Sequence, residues 1–253
     1  MTGPSGVVDV TVQSGPWRVT GAAATARGPV RQENQDAWRL VALEGAGLGL
    51  ILADGMGGQS GGGEAATAAV IAATDRLATP GAGQALVGEA LQLANTAVGE
   101  VRGRLGGSPG TTMIAGLISD GRLFLAHAGD SRAYLVRGGA ALQLTADHSV
   151  TGERVRAGTL DPETARHDPR RNYVTRALLG DPVQPDLSET ALAAGDVVVL
   201  CSDGLWEPLA DLDIARLAAG GAPGEAAQEL VEAALAAGST DNVTAVVARL
   251  DLR

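Results

Sequence analysis

The stretch LGLILADGMGGQSGGGEAA, from Leu48 to Ala66, decides how the fold is interpreted. Its apolar first half is typical of a buried strand that runs into Asp54, and its alanine-rich end predicts the start of a helix. A plain turn needs only one or two glycines, which supply backbone conformations that other residues avoid. The excess between strand and helix indicates a place where something approaches the backbone closely.

Short apolar runs and helical segments alternate on both sides of this stretch. Their order predicts one layered α+β domain over residues 16–253, after a lead-in at 1–15 with a candidate edge strand, VVDVTV. A charged, proline-containing segment at 147–180 predicts a small helical insertion, or flap. Predicted strands lie at 17–25, 36–43, 47–54, within 108–145 (three or four), within 186–204 and at 241–250; predicted helices lie at 63–78, 83–105, 209–220 and 222–238.

The composition is that of an acidic globular protein. Hydrophobic residues make up 45% of the chain and aromatic residues only 2%, so Leu, Val, Ile and Ala must fill the core. There are 19 Lys and Arg against 29 Asp and Glu, which gives a net charge of −10. This balance argues against nucleic acid or an anionic membrane as the main partner. A phosphorylated substrate would also be repelled, unless bound cations offset the charge.

The chain has one cysteine, Cys201, in the apolar run VVVLCSDG, which predicts a buried core thiol. No intrachain disulfide can form, as is typical of a reducing compartment. The first residues lack the cationic and apolar regions of a signal peptide, and no apolar stretch approaches about 20 residues. We therefore expect a cytoplasmic protein.

Four aspartates lie at the ends of predicted core strands. Asp54, Asp130 and Asp203 follow apolar runs, and Asp241 precedes one. Taken singly, each is more typical of a turn, because Asp-Gly is a common turn dipeptide. Their shared position favours a site for Mg²⁺ or Mn²⁺, which prefer carboxylates, backbone carbonyls and water. The glycines after Asp54 would then clear space for ions and a phosphate.

Seven motifs follow one another in a fixed order along the chain, and together they closely resemble the metal-dependent protein phosphatases of the PPM family, also called PP2C-type. The resemblance is strongest to the bacterial single-domain members and covers about residues 17–250. The motifs are GPVRQENQDAW (Gly28–Trp38), LADGMGG (Leu52–Gly58), GTT (Gly110–Thr112), HAGDSRAYL (His127–Leu135), LTADHS (Leu144–Ser149), CSDGLWE (Cys201–Glu207) and STDNVTAVV (Ser239–Val247).

The resemblance implies a fold and a reaction. The fold is two antiparallel sheets packed as a sandwich, flanked by helix pairs, with a small flap. The reaction is hydrolysis of phosphoserine and phosphothreonine in proteins by water activated between two Mg²⁺ or Mn²⁺ ions, without a phosphoenzyme. The implied partners are phosphorylated proteins, among them Ser/Thr kinases or their substrates, and the implied state is a monomer.

The resemblance also assigns roles to single residues. Asp54 would bridge two ions, the Gly55 carbonyl would bind one of them, and Asp203 and Asp241 would complete the other. Asp36 would hold the waters around the ions.

Two further roles concern the phosphate and an extra ion. Arg31 would grip the substrate phosphate, since its planar guanidinium matches a phosphate bidentately. Asp130 would join Asp203 in a third metal site, known from bacterial relatives.

The sequence departs from the family pattern at two positions. Gln35 stands where the family often has Glu, and Met56 stands where eukaryotic relatives have a histidine proposed as general acid. Methionine cannot donate a proton, so the general acid is unassigned. His148, in ADHS, is the first candidate, although a structural hydrogen-bonding role is favoured for it; His127 is expected to pack in the core and His167 to be exposed.

The predicted flap carries several arginines in an otherwise acidic chain. They could guide phosphopeptides, or they could form an ordinary solvated face, and the sequence leaves both interpretations open. Burial is the alternative for Arg176, in VTRAL. The arginines are Arg154, Arg156, Arg166, Arg170, Arg171 and Arg176.

Other functions also stay open. A non-catalytic relative could bind phosphoproteins as a regulatory partner, but it would be expected to have lost metal ligands, and every ligand mapped above is present. A member restricted to one narrow target, such as a sigma-factor regulator, and an enzyme for small phosphorylated molecules are further alternatives.

Overall fold

The structure is a computed structural model that describes residues 9–43, 45–57 and 61–253. Its first half contains β1 (Val10–Ser14), β2 (Trp17–Ala26), β3 (Asp36–Leu43), β4 (Gly47–Met56), α1 (Gly62–Leu77) and α2 (Gly83–Leu105). Residues 7 and 8 of the candidate edge strand, and Gly58 of the glycine-rich run, lie outside the described residues.

The meander and the flap follow. They comprise β5 (Gly110–Thr111), β6 (Met113–Ser119), β7 (Arg122–Ala128), β8 (Arg132–Arg137), β9 (Ala140–Gln143), α3 (Val150–Arg156) and α4 (Pro162–Arg166). The last part comprises β10 (Asp186–Ala191), β11 (Val197–Cys201), α5 (Asp203–Trp206), α6 (Asp211–Ala218), α7 (Pro223–Ala236) and β12 (Val243–Leu252).

The strands form two antiparallel sheets. One has the order β1-β2-β12-β11-β8-β9, and the other has the order β10-β7-β6-β4-β3, with the short β5 paired to the end of β4. β1 lies at the edge of the first sheet, where it pairs with β2.

Three apolar layers hold these elements together. One lies between the sheets, one lies between α1, α2 and the second sheet, and one lies between α5, α6, α7 and the first sheet. The predicted sandwich of two antiparallel sheets with helix pairs on its outer faces is therefore confirmed.

The strand β4 shows how the sequence produces this layering. Leu50 and Leu52 point between the sheets, whereas Ile51 and Ala53 point towards α1 and α2. Successive side chains of a strand alternate between its two faces, and here both faces are covered. A strand covered on both sides is apolar at every position, which is why this stretch is continuously hydrophobic.

The predicted flap segment, 147–180, contains the short helices α3 and α4 and rejoins the body through isolated bridges. Ser149 pairs with Val174, and Leu178 pairs with Thr111 beside the end of β4. This path brings residues 170–176 back to the end of the sandwich where β4 terminates. None of the helices described is both long enough and apolar enough to cross a lipid bilayer.

Candidate functional site

Five aspartates meet at one end of the sandwich. In antiparallel neighbours the end of one strand lies beside the start of the next, so residues far apart in sequence share an edge. Asp36 begins β3, Asp54 lies near the end of β4, Asp130 follows β7, Asp203 begins α5 directly after β11, and Asp241 precedes β12.

The aspartates surround a cavity of about 750 Å³, which we call the acidic cleft. Asp54, Gly55, Asp130, Asp203 and Asp241 all line it. Asp36 is not part of the lining, but it lies opposite Asp54 in the β3–β4 register. The sequence-predicted carboxylates are thus brought together, with Asp36 behind the others.

The backbone of Asp54 is fixed by Thr112. The Asp54 N–H donates to Thr112 Oγ1 at 3.1 Å, and the Thr112 N–H donates to the Asp54 carbonyl at 2.9 Å. This reciprocal pair leaves the Asp54 carboxyl directed at the cleft.

Asp36 has one satisfied and one unsatisfied carboxylate oxygen. Oδ2 accepts hydrogen bonds from Ser202 Oγ at 2.8 Å and from Thr244 Oγ1 at 2.6 Å. Oδ1 is buried and has no hydrogen-bond partner among the described residues. Desolvation raises the pKa of Asp36 to about 6, against the lowering effect of the two hydroxyls. A buried acceptor without a donor is costly, so this oxygen suits a water or a cation.

Three other carboxyls of the cleft, those of Asp54, Asp130 and Asp203, are also in surroundings that disfavour their ionised forms. Desolvation, reinforced by neighbouring carboxylates, raises the pKa of Asp54 and of Asp203 well above the usual range. The pKa of Asp130 is raised to about 7 by desolvation first and by Asp147 second. Surrounding protein and like charges both disfavour the ionised form, and a divalent cation would reverse that balance.

The carboxylates are suitable ligands for hard divalent cations and lie around one cleft, although they do not form a complete coordination shell. Within the described ranges, no three carboxylate, imidazole or thiol groups stand at the spacing of a preassembled metal site. Mg²⁺ keeps several waters and uses only one or two carboxylates, so such a cage is not required for it.

One carboxylate of the cleft is turned towards a cation of the protein. Asp241 Oδ2 accepts a hydrogen bond from Arg31 Nη2, and this bond is the main reason that the pKa of Arg31 is raised. Just over half of the Arg31 side chain remains exposed. The backbone beside this pair is tied down by Asn242, whose amide donates to the carbonyls of Arg27 and Glu33. Ion binding by Asp241 would therefore release Arg31.

The backbone of Asp130 is supported by the side chains of Trp206 and Arg132. Its carbonyl accepts a hydrogen bond from Trp206 Nε1 at 3.0 Å, and the Arg132 guanidinium lies 3.5 Å from the centroid of the Trp206 ring. Arg132 in turn makes a bidentate ion pair with Asp147. The stacked Trp206 and Arg132 side chains thus fix the loop that places Asp130 in the lining of the acidic cleft.

Two glycines, Gly55 near the end of β4 and Gly62 at the start of α1, have a packing role that the sequence did not reveal. A Cβ on Gly55 would lie 2.3 Å from the Gly62 carbonyl and 2.7 Å from the Gln35 carbonyl. A Cβ on Gly62 would lie 2.8 Å from Gln35 Oε1. What approaches the backbone so closely is thus the first turn of α1 and the loop before β3.

The histidines lie away from the acidic cleft or at its periphery. His148 is buried, accepts the Gly129 N–H at its Nδ1, and has Nε2 3.1 Å from Asp186 Oδ2. His127 is buried and stacks on His148, and desolvation lowers its pKa to about 3. Neither ring lines the acidic cleft. His167, as expected, is exposed.

Predictions about three other residues can be compared directly with their positions in the structure. Cys201 is buried in β11, as expected for a core thiol. Arg176 is about two-thirds buried and pairs with Asp186, so the burial alternative fits it better than the solvated face. Met56 lines the cleft in the position where a proton donor could have stood.

Several residues that shape the site were missed. Ser202, Thr244, Asn242 and Thr112 lie inside quoted motifs, but their side chains were given no role. Trp206 likewise stands in CSDGLWE, and only the fold shows its contact with Asp130.

Comparisons with known proteins show which family the chain belongs to. The family profile of protein phosphatase 2C matches residues 21–237. The chain is 41% identical over 233 residues to the serine/threonine protein phosphatase PstP of Mycobacterium tuberculosis, covering 90% of this chain and 44% of that protein. It is 32% identical over 232 residues to the protein phosphatase PhpP of Streptococcus pneumoniae, covering 88% and 94%.

A solved structure extends the comparison from sequence to fold. The catalytic domain of PstP in complex with two manganese ions superposes with a TM-score of 0.81 at 37% identity, covering 93% of this chain and 99% of that one. The chain thus spans less than half of full-length PstP and nearly all of its catalytic domain and of PhpP.

Proposed function

Because this chain belongs to the protein phosphatase 2C family, we propose that it is a serine/threonine protein phosphatase, which hydrolyses phosphoserine and phosphothreonine in proteins. The observation that carries the proposal is the acidic cleft, where carboxyls of raised pKa face one another. Beside them lies a buried carboxylate oxygen that has no hydrogen-bond partner in the described ranges. Such a group of like charges is stabilised by divalent cations, and phosphate esters need cations to approach it.

We assign the ion ligands as the resemblance to the family implies, and the position of these residues around the acidic cleft supports the assignment. Asp54 would be shared by two Mg²⁺ or Mn²⁺ ions, one of which would also take the Gly55 carbonyl. Asp203 and Asp241 would hold the other, and Asp36 would hold its waters.

Asp130 and Asp203 would form a third, optional site. Desolvation is the main reason that the pKa of Asp203 is raised, and among its charged neighbours Asp130 and Asp241 contribute most, which supports this grouping. Among cations that accept carboxylate and carbonyl oxygens, Mg²⁺ and Mn²⁺ fit best.

The reaction needs no nucleophile from the protein. When bound, the ions would supply the positive charge that activates a water for attack on phosphorus. The only cysteine lies in the core, and burial raises the pKa of its thiol. We therefore expect no phosphoenzyme.

Arg31 would orient the substrate phosphate. It lines the cleft, it is half exposed, and among the described residues only its Nη2 is engaged, by Asp241. Once an ion holds Asp241, the guanidinium can turn its planar donors to the phosphate oxygens. Since neither Met56 nor His148 can deliver a proton to the cleft, the leaving alkoxide would be protonated by solvent.

The wider setting is also proposed. Phosphorylated proteins, including Ser/Thr kinases or their substrates, would be the partners, and the chain would act as a monomer without nucleic acid or membrane. We place it in the cytoplasm, because a single unpaired cysteine is typical of reducing compartments.

Phosphate release from a phosphothreonine peptide tests the proposal. We expect release with Mn²⁺ or Mg²⁺, none with EDTA, and near-complete loss in Asp203→Asn. Asp75→Asn, on the exposed face of α1, is the matched control and should behave like the wild type. A folded protein that releases no phosphate with either ion would contradict the enzyme and favour the phosphoprotein-binding alternative.

A further inference from the structure

A second cavity of about 480 Å³ adjoins the acidic cleft, and we call it the flap-side pocket. Residues 166–172 of the flap form one wall, and the loop 238–241 forms the other. Arg31, Asn172 and Asp241 line both cavities. A peptide whose phosphate lies in the acidic cleft would therefore place a neighbouring side chain in the flap-side pocket.

The flap-side pocket is a basic exception on an acidic protein. Three arginines line it, Arg31, Arg166 and Arg171, against the carboxylates of Asp241 and Glu207. The chain as a whole carries a net charge of −10. If an ion binds Asp241, the net charge of the flap-side pocket becomes still more positive.

The three arginines differ in how many donors they have left. Arg166 is mostly buried, with Nη1 bonded to the carbonyls of Trp206 and Leu209 and Nη2 bonded to Asp211, so it serves the structure. Arg171 uses Nε and Nη2 on Glu207 at 2.8 and 3.2 Å. Its Nη1 has no hydrogen-bond partner in the part of the chain that the structure describes. An arginine has five N–H donors, so Arg171 can accept a second anion without giving up Glu207.

Further polar groups complete the pocket. Ser239 and Thr240 line it from the loop, and neither hydroxyl makes a hydrogen bond within the described residues. Asn172 adds an amide, and His167 stands exposed at the edge. Hydroxyl and amide donors beside a guanidinium are the groups that recognise carboxylates and phosphates.

We infer that the flap-side pocket is a subsite for an anionic side chain that flanks the phosphorylated residue of the substrate. The anion is a carboxylate or a second phosphate, and Arg171 is its main contact. This inference rests on the proposed function, because the subsite is defined by its position beside a phosphorylated residue bound in the acidic cleft. It makes the enzyme selective for acidic or multiply phosphorylated sequences, despite its own negative charge.

Binding rather than turnover separates this inference from the proposed function. Peptides would carry a non-hydrolysable phosphonate analogue of phosphothreonine, with one glutamate or one phosphoserine, likewise as its non-hydrolysable phosphonate, scanned from three positions before it to three after. Calorimetry with Mn²⁺ present gives each affinity relative to an all-alanine flank. We expect about fivefold tighter binding for at least one anionic position, as for a partly exposed ion pair, and a smaller ratio at high salt.

Two adjacent arginines provide a matched pair of variants. Arg171→Gln should reduce the ratio to about one, and Arg171→Lys should retain part of it, because a charge remains without the planar fork. Arg170→Gln should leave the ratio unchanged, since Arg170 pairs with Asp168 and does not line the flap-side pocket.

Each outcome decides the matter. Equal affinities for anionic and alanine flanks in the wild type would overturn the inference, as would a ratio that survives in Arg171→Gln. If only phosphoserine raises the affinity, the pocket takes a second phosphate; if glutamate does so too, it takes carboxylates as well. A preference in binding without any hydrolysis of true phosphopeptides would sustain the subsite and refute the enzyme.

Discussion

The middle of the sandwich and its acidic end are made by the same strands, but their chemistry is opposite. In the middle, Leu50, Leu52 and Val246 are completely buried among other apolar side chains. A few residues further along the same strand β4, Asp54 faces other carboxyls in surroundings that disfavour its ionised form. Burying a Leu or Val side chain stabilises a fold by about 1.5–3 kcal/mol, whereas an ionised carboxylate out of water costs several.

This difference teaches how the site is supported. The apolar middle supplies the stability that lets the strands end in a group of mutually repelling aspartates. Without cations the end destabilises the fold, and with cations the same carboxyls become ligands. Removing a carboxylate at the acidic end should therefore raise stability without metal and lower activity. Changes in the apolar middle cannot have such opposite effects.

The largest expected effect is that of Asp54→Asn. Removing a charge shared by two ions takes away several kcal/mol of transition-state stabilisation, so phosphate release should fall at least about 100-fold. In EDTA the same variant should melt higher than the wild type, because it avoids burying a charge and relieves the repulsion among the carboxylates. A change of 1 kcal/mol corresponds to about 2–4 °C. Phosphate-release assays check the expected loss of activity, and thermal unfolding in EDTA checks the expected gain in stability. A lower melting temperature of Asp54→Asn in EDTA would contradict the view that the acidic end destabilises the fold without cations.

Next comes Arg31→Gln, which tests the phosphate grip. Losing charge-assisted hydrogen bonds to the phosphate should lower kcat/KM about 10- to 100-fold. The melting temperature in EDTA should change little, since the Arg31–Asp241 pair is half exposed and such pairs contribute at most about 1 kcal/mol. Arg39→Gln, an exposed arginine on β3, should change neither quantity. Unaltered kinetics in Arg31→Gln would remove Arg31 from the site.

A smaller effect is expected from Thr244→Val, which keeps the shape and removes a hydroxyl donor to Asp36 Oδ2. The pKa of Asp36 should rise further, and metal affinity should fall about tenfold, as for other supports of metal ligands. The measurement is the Mn²⁺ concentration for half-maximal activity. Thr244→Ser keeps the hydroxyl and should resemble the wild type; an equal loss in both variants would point to packing instead.

The smallest effect concerns pH and stability without metal. Asp130, with a pKa of about 7, and Asp54 and Asp203, with pKa values well above the usual range, bind protons more tightly folded than unfolded. Stability from these groups is lost as pH rises through their folded pKa values, so lowering the pH from 8 to 6.5 in EDTA should raise the melting temperature by a few degrees, about 2–4 °C per kcal/mol.

The pH window has a lower limit and two controls. Below about pH 6.5, His127 opposes the trend, because its pKa is lowered to about 3 and its protonation favours the unfolded chain. Asp54→Asn should show a weaker pH trend than the wild type. With Mn²⁺ the trend should reverse, since protons compete with the ion for the carboxylates. A flat profile in EDTA would mean that burial and neighbouring charges do not raise the pKa values of these aspartates.

The sequence predicted local structure better than long-range contacts. The apolar runs of β4 and β11 and the stripe of α2 were recognisable because both their composition and their periodicity agree with the fold. The helical turn α5, which presents Asp203, was not predicted, since four residues carry no periodic signal. The packing of Gly55 against Gly62 was also missed, because it depends on where α1 begins in space.

The candidate site was predictable in its ion ligands but not in their supports. Strand-end aspartates and the order of the motifs marked Asp54 and Asp203. The donors to Asp36, Ser202 and Thr244, lie more than 160 residues away in sequence, and only the pairing of the sheets' ends brings them to it. A hydroxyl gives no sequence signal that separates a ligand support from an ordinary core threonine.

Calorimetric titration of Mn²⁺ into the purified protein tests most directly whether the acidic end is a cation site. The account predicts saturable binding of at least two ions to the wild type, accompanied by a higher melting temperature. Binding should be greatly weakened in Asp54→Asn and unchanged in Asp75→Asn. Absence of saturable binding to the folded wild type, or equal binding by Asp54→Asn, would contradict the account.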